Sequence, residues 1–578
     1  MRNAGSPNQA RRLQAIDAYL AHSPLRLGRT AKGTVAAWFL GPKGENQKLL
    51  SDLLIEAIRQ HCESRRDFHP EDPIYITRDI KKKKSYQKAV QNLHERAREL
   101  YRELRLSAPI SSMRHQGHML WDQVLPGMVG YFAAMLYNQN NVAAEASPVT
   151  TGLEIEVGND LCRMLGFDVP ASSKKSGARG IVPWGHITCD GSVANIEGLW
   201  AARNAKFLAI ALQAALREVP VLAPARSLKV KLLDGSSAPL LDLDPWVLLN
   251  LKIDDVVGLP YQIESRYGIK TEITAQVLSS YSVQSIGMFE FYRRFLPGFP
   301  APVAIVPSTR HYSWPKAGAL LGIGQNNILK VYVDLRARVD IGNLADVLRG
   351  CLEKHVPVIA VVAVIGSTEE SAVDPLVDIL ALRERFRKQG MEFAVHCDAA
   401  WGGYFNTMLR GGRRRKRSAI DVPAMSMSRY VVKQYRALRH ADSITVDPHK
   451  AGYVPYPAGG LCYRNSAMRD LISLRAPVVF HSQTEPTVGV YGVEGSKPGA
   501  AAAGVYLAHR VIPLDKNGYG DILGKCMWTS TRLYCRLVTS GSRRSRAFAT
   551  ENRRVSDAAR GASERGRSGR RESKKLHP

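Results

Sequence analysis

Cysteine is scarce in this sequence. Eight cysteines among 578 residues stand at positions 62, 162, 189, 351, 397, 462, 526 and 535, and no two form a Cys-x-x-Cys pair. That spacing argues against a disulfide scaffold and against a cysteine metal site, so no metal is expected and a reducing, cytoplasmic setting is the natural reading. Long apolar runs are missing too. The best candidate, Val356 to Ile365, falls far short of the roughly 18 residues a membrane span needs and runs into Gly366-Ser367-Thr368. The N-terminus carries Arg2, Arg11 and Arg12 without an apolar stretch, so neither a secretory signal nor a membrane partner is expected. Acidic residues are the third shortage: 52 Asp and Glu face 80 Lys and Arg, a formal net charge of +28. The excess is not gathered on one face. Residues 541–578 hold twelve Lys and Arg against four Asp and Glu, and two further clusters, Lys81–Lys84 and Arg410 with Arg413–Arg417, read as solvated loops, with RNA or lipid contact as the alternative. Nucleic acid is therefore not an expected partner.

What is present is enough apolar material, 45% of residues, to build a large core. Length gives a prior of about three to four domains' worth of chain. Leu49, Leu50, Leu53, Leu54 and Ile58 make one apolar stripe at helical spacing, and a second helix is predicted from about Tyr86 to Leu106. Residues 119–165 read as further helix broken near Asn138–Asn141. From about 184 the texture changes. Pro302–Val306, Val356–Ile365, Phe393–His396 and Ser443–Val446 read as strands buried on both faces, with helices at about 192–216, 313–322 and 374–388 between them. This is α/β architecture around a mainly parallel sheet, and ligands of such sheets sit at the carboxyl ends of the strands.

Each buried strand runs into a polar signal there. Phe393–His396 leads to Cys397-Asp398-Ala399-Ala400, Ser443–Val446 to Asp447-Pro448-His449-Lys450, and Val356–Ile365 to Gly366-Ser367-Thr368. A lysine and a carboxylate at neighbouring strand ends are, alone, more often a structural ion pair. Two further pieces shift that balance. Asp190-Gly191-Ser192 opens a helix, so backbone, hydroxyl and helix N-terminus together make a phosphate cradle. His311 follows its strand and offers a flat imidazole face. Phosphate cradle, lysine, carboxylate and flat ring describe a pocket for pyridoxal 5′-phosphate.

The runs His-Cys-Asp-Ala-Ala-Trp-Gly-Gly-Tyr (396–404) and Asp-Pro-His-Lys (447–450) resemble the group II pyridoxal-phosphate decarboxylases of fold type I. Phe39–Asn46, Asn138–Pro148, His311–Ala317, Lys450–Tyr456 and Val493–Ala500 are similar to stretches of the bacterial and fungal tyrosine decarboxylases within that family. The resemblance covers about 38 to 538. It implies that Lys450 carries the cofactor covalently, that burial and a neighbouring cation lower its pKa, and that Asp398 pairs with the pyridine nitrogen. It further implies that His311 stacks on the ring, that Gly191 and Ser192 bind phosphate together with His449, and that Thr368 and Ala400 line the ring. Tyr456 matches a residue that returns a proton to the substrate carbon; a packed core tyrosine is its other reading. His118 matches a substrate-pocket histidine contributed across a dimer interface, or is an ordinary isolated histidine. Cys189 and Cys397 read as small buried apolar residues.

The organisation implied is an extension (1–35) expected to be disordered, a helical, dimer-forming segment (36–150), and a large cofactor-binding domain (151–480). The start of a small domain (481–540) and a basic, disordered tail (541–578) follow. Arg, Ser and Gly dominate after about Val538, so the small domain is expected to be incomplete and turnover impaired. The implied activity is decarboxylation of an aromatic L-amino acid, L-tyrosine foremost. The alternatives are the same chemistry on another amino acid such as glutamate, and a catalytically impaired relative with a binding role.

Overall fold

The computed structural model describes residues 33–115, 117, 119, 121–170, 181–411, 424–474 and 488–539. The expectations for His118, for Arg413–Arg417, for residues 1–32 of the extension and for the 541–578 tail lie outside the described residues.

A seven-stranded sheet organises the main unit, which spans residues 33–414 and 427–521. Its strands are β1 (Trp184–Thr188), β2 (Val303–Pro307), β3 (Ile328–Val331), β4 (Val358–Val364), β5 (Ala394–Asp398), β6 (Ser443–Thr445) and β7 (Gly459–Tyr463). They lie in the order β1-β7-β6-β5-β4-β2-β3. All neighbours pair in parallel except β7, which runs antiparallel to both β1 and β6. Every residue of β4 (Val-Ile-Ala-Val-Val-Ala-Val) is buried, as a central strand covered on both faces requires. Four strands fall where the sequence predicts them, shifted by a residue or two. Strands β1, β3 and β7 were not anticipated: β7 opens on Gly459-Gly460, and β3 has four residues of mixed burial, so neither carries a strong strand signal.

Helix α1 (Gln47–Phe68) and α2 (Lys84–Leu104) form at the expected positions, followed by α3 (Leu125–Tyr137) and α4 (Thr150–Leu165). Lys81–Lys84 is exposed, as predicted, but is no loop: Lys81 and Lys82 end a short helix, Arg78–Lys82, and Lys84 opens α2. Helix α4 presses on β1 so closely that a Cβ on Gly158 would stand 1.9 Å from the Gly185 carbonyl oxygen. Helix α5 (Gly191–Glu218) crosses the sheet on an alanine-rich face, and Pro220 follows its end. Between α5 and β2 lies a set of short helices and a two-stranded hairpin, Lys229–Lys231 with Ser237–Pro239, whose core packs on Phe207–Leu216 of α5. Nothing in the hydrophobic pattern announced this insertion.

The second unit holds, among described residues, 424–426 and 522–539, where the Met425 N–H donates to the Gly524 carbonyl at 2.9 Å. Among the described residues no single helix is long and apolar enough to cross a membrane.

Candidate active site

Strands β2, β4, β5 and β6 point their carboxyl ends to one edge of the sheet, where a cavity of about 290 Å³ opens. Gly191, Ser192, His311, Thr368, Asp398, Ala400, His449, Lys450 and Tyr456 all line it. Every described residue expected at the site is therefore brought together. Tyr456 is 53% exposed at the cavity wall, which removes its reading as a packed core residue.

Asp398 ends β5 and is 5% exposed. Its Oδ2 accepts two side-chain N–H bonds, from Asn195 Nδ2 at 2.9 Å and Trp314 Nε1 at 3.1 Å, while Oδ1 faces only the Ala400 N–H at 3.4 Å. Asn195 is itself fixed. Its Nδ2 also donates to Ser313 Oγ at 3.0 Å, and its Oδ1 accepts from Thr445 Oγ1 at 2.8 Å. Asn195 and Trp314 were not singled out from the sequence. Asn195 sits one helical turn beyond Gly191, and Trp314 three residues beyond His311, inside runs that were noticed for other reasons.

Asp190 caps α5 by accepting from the Val193 N–H at 2.9 Å, which leaves the Gly191 and Ser192 end of the helix facing the cavity. A Cβ on Gly191 would meet Asp447 Oδ2 at 2.6 Å and Ala400 Cβ at 3.1 Å, so only glycine leaves room there. The His311 ring lines the cavity with Nδ1 3.0 Å from Ser313 Oγ; burial lowers its pKa despite nearby Asp398, so the imidazole is neutral near pH 7. His449 donates its Nδ1–H to the Ala458 carbonyl at 2.7 Å, and burial lowers its pKa as well. The His449 and Tyr456 rings lie 4.0 Å apart.

Lys450 departs from expectation. Burial alone would lower its pKa, but Asp447 Oδ2 stands 2.9 Å from Nζ and, with Asp398 behind it, carries the pKa above the ordinary lysine value. The expected neighbouring cation is a carboxylate. Cys397 is buried as expected, whereas Cys189 is exposed, its N–H donating to Glu494 Oε2 at 2.8 Å.

This arrangement agrees with relatives over most of the chain. The profile of the pyridoxal-dependent decarboxylase conserved domain matches residues 299–537. An L-tyrosine decarboxylase of Enterococcus faecalis is 36% identical over 525 residues, 88% of this chain and 76% of that protein. An L-tyrosine decarboxylase of Levilactobacillus brevis is 34% identical over 514 residues, 86% of this chain and 74% of that protein. The chain belongs to the pyridoxal-phosphate-dependent decarboxylases. Pyridoxal 5′-phosphate is the cofactor, and the protein is a carboxy-lyase. The fold agrees: the crystal structure of mouse CSAD superposes with a TM-score of 0.51 at 14% identity, covering 86% of this chain and 79% of that one. The decarboxylase cavity passes a physical test of fit for its cofactor. It offers an open anion cradle at a helix N-terminus, a buried carboxylate with a spare oxygen, a flat neutral ring and a primary amine.

Proposed function

We propose that this decarboxylase converts L-tyrosine to tyramine and carbon dioxide. The observation that carries the reading is the composition of the cavity wall. Among its described residues are Met119, Tyr312 and Trp401, and none is an arginine. Glutamate or aspartate would bring a second carboxylate needing a cation of its own; Lys450, the one ammonium there, is already committed. An aromatic side chain needs only apolar and aromatic surface. The relatives at 33–36% identity over most of the chain bear the name L-tyrosine decarboxylase, which supports the same substrate.

The residues take these roles. Lys450 holds the cofactor through its amine. Gly191 and Ser192, with His449, receive the phosphate. Thr368 and Ala400 line the ring, and His311 stacks on it as a neutral imidazole, adding no positive charge against a protonated pyridine. Asp398, with Oδ2 held by Asn195 and Trp314, would offer its other oxygen to the pyridine nitrogen as a fixed negative charge. Bound pyridoxal phosphate then supplies the sink for the electron pair left when the carboxylate departs. Tyr456 returns a proton to the α-carbon. Burial raises its pKa, so the phenol keeps its proton until it is used. The expected substrate contact of His118 joins this proposal from outside the described residues.

The active form is proposed to be a cytoplasmic homodimer. Helix α1 has no buried residue, and its Leu49, Leu53 and Ile58 are 40%, 39% and 44% exposed. A second copy of the chain would cover that stripe.

Incubation with single amino acids tests the substrate: tyramine and carbon dioxide should appear in equal amounts from L-tyrosine, and faster release from glutamate or aspartate would reject it. Tyr456→Phe should divert product from tyramine to the corresponding aldehyde, with the cofactor left in its amine form. Tyramine as the sole product at the normal rate would remove Tyr456 from the proton-donor role.

A further inference from the structure

Two of the runs that carry the family resemblance, Asn138–Pro148 and Val493–Ala500, contribute nothing to the wall of the cavity. They meet each other instead. The Lys497 N–H donates to Asn140 Oδ1 at 3.1 Å across 357 positions of chain, and the Asn141 N–H donates to the Lys497 carbonyl at 2.9 Å. Together they close on the end of β1, the strand that leads into the phosphate cradle.

Strand β1 is the edge of the sheet, so the peptide groups on its open side have no neighbouring strand to bond. At Ile187 side chains replace that strand. The Ile187 N–H donates to Glu154 Oε1 at 3.0 Å, and its carbonyl accepts from Lys497 Nζ at 2.9 Å. The same ammonium bonds Glu154, whose other oxygen accepts from Asn141 Nδ2 at 2.7 Å. Glu154 is 1% exposed and Lys497 7%. Two residues further on, the Cys189 N–H donates to Glu494 Oε2 at 2.8 Å. Asp190, Gly191 and Ser192 come next.

A buried ion pair is an expensive way to fill space, and a packed apolar pair is often as stable. An apolar pair could not take both the N–H and the C=O of Ile187. What the charges hold therefore explains them. Helix α5 is clamped separately, by the Val493 N–H donating to Glu197 Oε1 at 2.8 Å. The peptides of 187–190 then decide how the first N–H groups of α5 present themselves. An anion bound at a helix N-terminus depends on that aim, because hydrogen bonds weaken steeply when misaligned.

We propose that Val493–Lys497 is a strap that sets the phosphate cradle from behind, with Lys497, Glu154 and Glu494 as positioning residues for recognition of the cofactor phosphate. None of the three lines the cavity. The inference rests on the assignment of the Gly191–Ser192 end as the phosphate site. It gives the stretch expected to open a small domain a part in gripping the cofactor, and that stretch packs within the main unit.

Affinity of the full-length cofactor-free protein for pyridoxal 5′-phosphate and for pyridoxal, followed by visible absorbance, tests this. Both aldehydes use the same amine and ring contacts, so the ratio of their affinities isolates the phosphate end. Lys497→Met removes the ammonium at similar length and should lower the ratio about tenfold, the size of one hydrogen bond to a charged group. Glu494 is half-buried, so water can replace part of its bond, and Glu494→Ala should lower the ratio about threefold. Glu494→Gln keeps an oxygen for the Cys189 N–H and should stay near the wild type. Pyridoxal affinity should be unchanged in all three. The two Glu494 variants decide the matter if Lys497→Met does not fold. Equal loss for both aldehydes would make the strap a general stabiliser and overturn the proposal, as would an unchanged ratio in Lys497→Met and Glu494→Ala. If the wild type binds pyridoxal as tightly as its phosphate, the cradle assignment itself fails. If the wild type prefers the phosphate and the variants keep that preference, only the strap is misassigned.

Discussion

Asp398 and Asp447 stand at the ends of neighbouring parallel strands, both buried, and their surroundings are opposite in kind. Around Asp398 every group is committed: Asn195 is held by Thr445 and Ser313, and Trp314 is wholly buried. Around Asp447 only a mobile type of side chain, lysine, supplies compensation. The difference matches two demands on one cofactor. The ring end needs a charge held in one place, and preorganised donors provide that. The amine end must leave its carboxylate to bond the cofactor, and a flexible lysine side chain can do so.

The largest expected effect comes from removing the fixed charge. Asp398→Asn keeps shape but cannot stabilise a protonated pyridine nitrogen, and turnover should fall about 10³-fold, or about 4 kcal/mol of transition-state stabilisation. An unchanged turnover number would end the contrast between the two carboxylates. A smaller effect should follow from loosening Asp398 instead of neutralising it. Asn195→Ala removes one of its two side-chain donors, worth about 1.5–3 kcal/mol for a bond to a charged group, and turnover should drop about ten- to a hundredfold. If Asn195→Ala were as severe as Asp398→Asn, orientation and not charge would be the dominant contribution of Asp398.

Much of this site is legible in the sequence because its parts sit where a buried strand stops. The β-branched runs of β4, β5 and β6 mark the sheet, and the polar residue after each apolar run marks its functional edge. Gly191, Asp398 and Lys450 follow from that rule with the chemistry of each side chain. Asn195 and Trp314 do not, since their importance depends on α5 and the start of a helix near Ser313 converging on one carboxylate oxygen. The sign of the Lys450 shift is not legible in the sequence for a related reason: Asp447 lies three residues before it, and only the turn between them brings the two groups to 2.9 Å. Helix α1 illustrates the reverse situation. Its apolar stripe is plain in the sequence, but a stripe records what should be buried and says nothing about what covers it.

The smallest effect expected is one of stability near the fixed end. His396 lies beside Asn195, with Nδ1 2.8 Å from Ser443 Oγ, and burial pushes its pKa from 6.5 down to about 4, against the pull of Asp398. Because the folded value is the lower one, the unfolded chain binds more protons between these limits. The stability that His396 contributes is complete above pH 6.5 and is lost as pH falls toward 4. Thermal unfolding between pH 7 and 5 should therefore show a steeper loss for the wild type than for His396→Gln. Parallel curves would mean that His396 does not titrate in that window.

The account depends most directly on where the cofactor is attached. The full-length protein loaded with pyridoxal 5′-phosphate, reduced with borohydride and digested, should yield one labelled peptide carrying the adduct on Lys450. Lys450→Ala should yield no labelled peptide and no decarboxylation while still folding. A stable adduct on any other lysine, or tyramine production by Lys450→Ala at the wild-type rate, would contradict it.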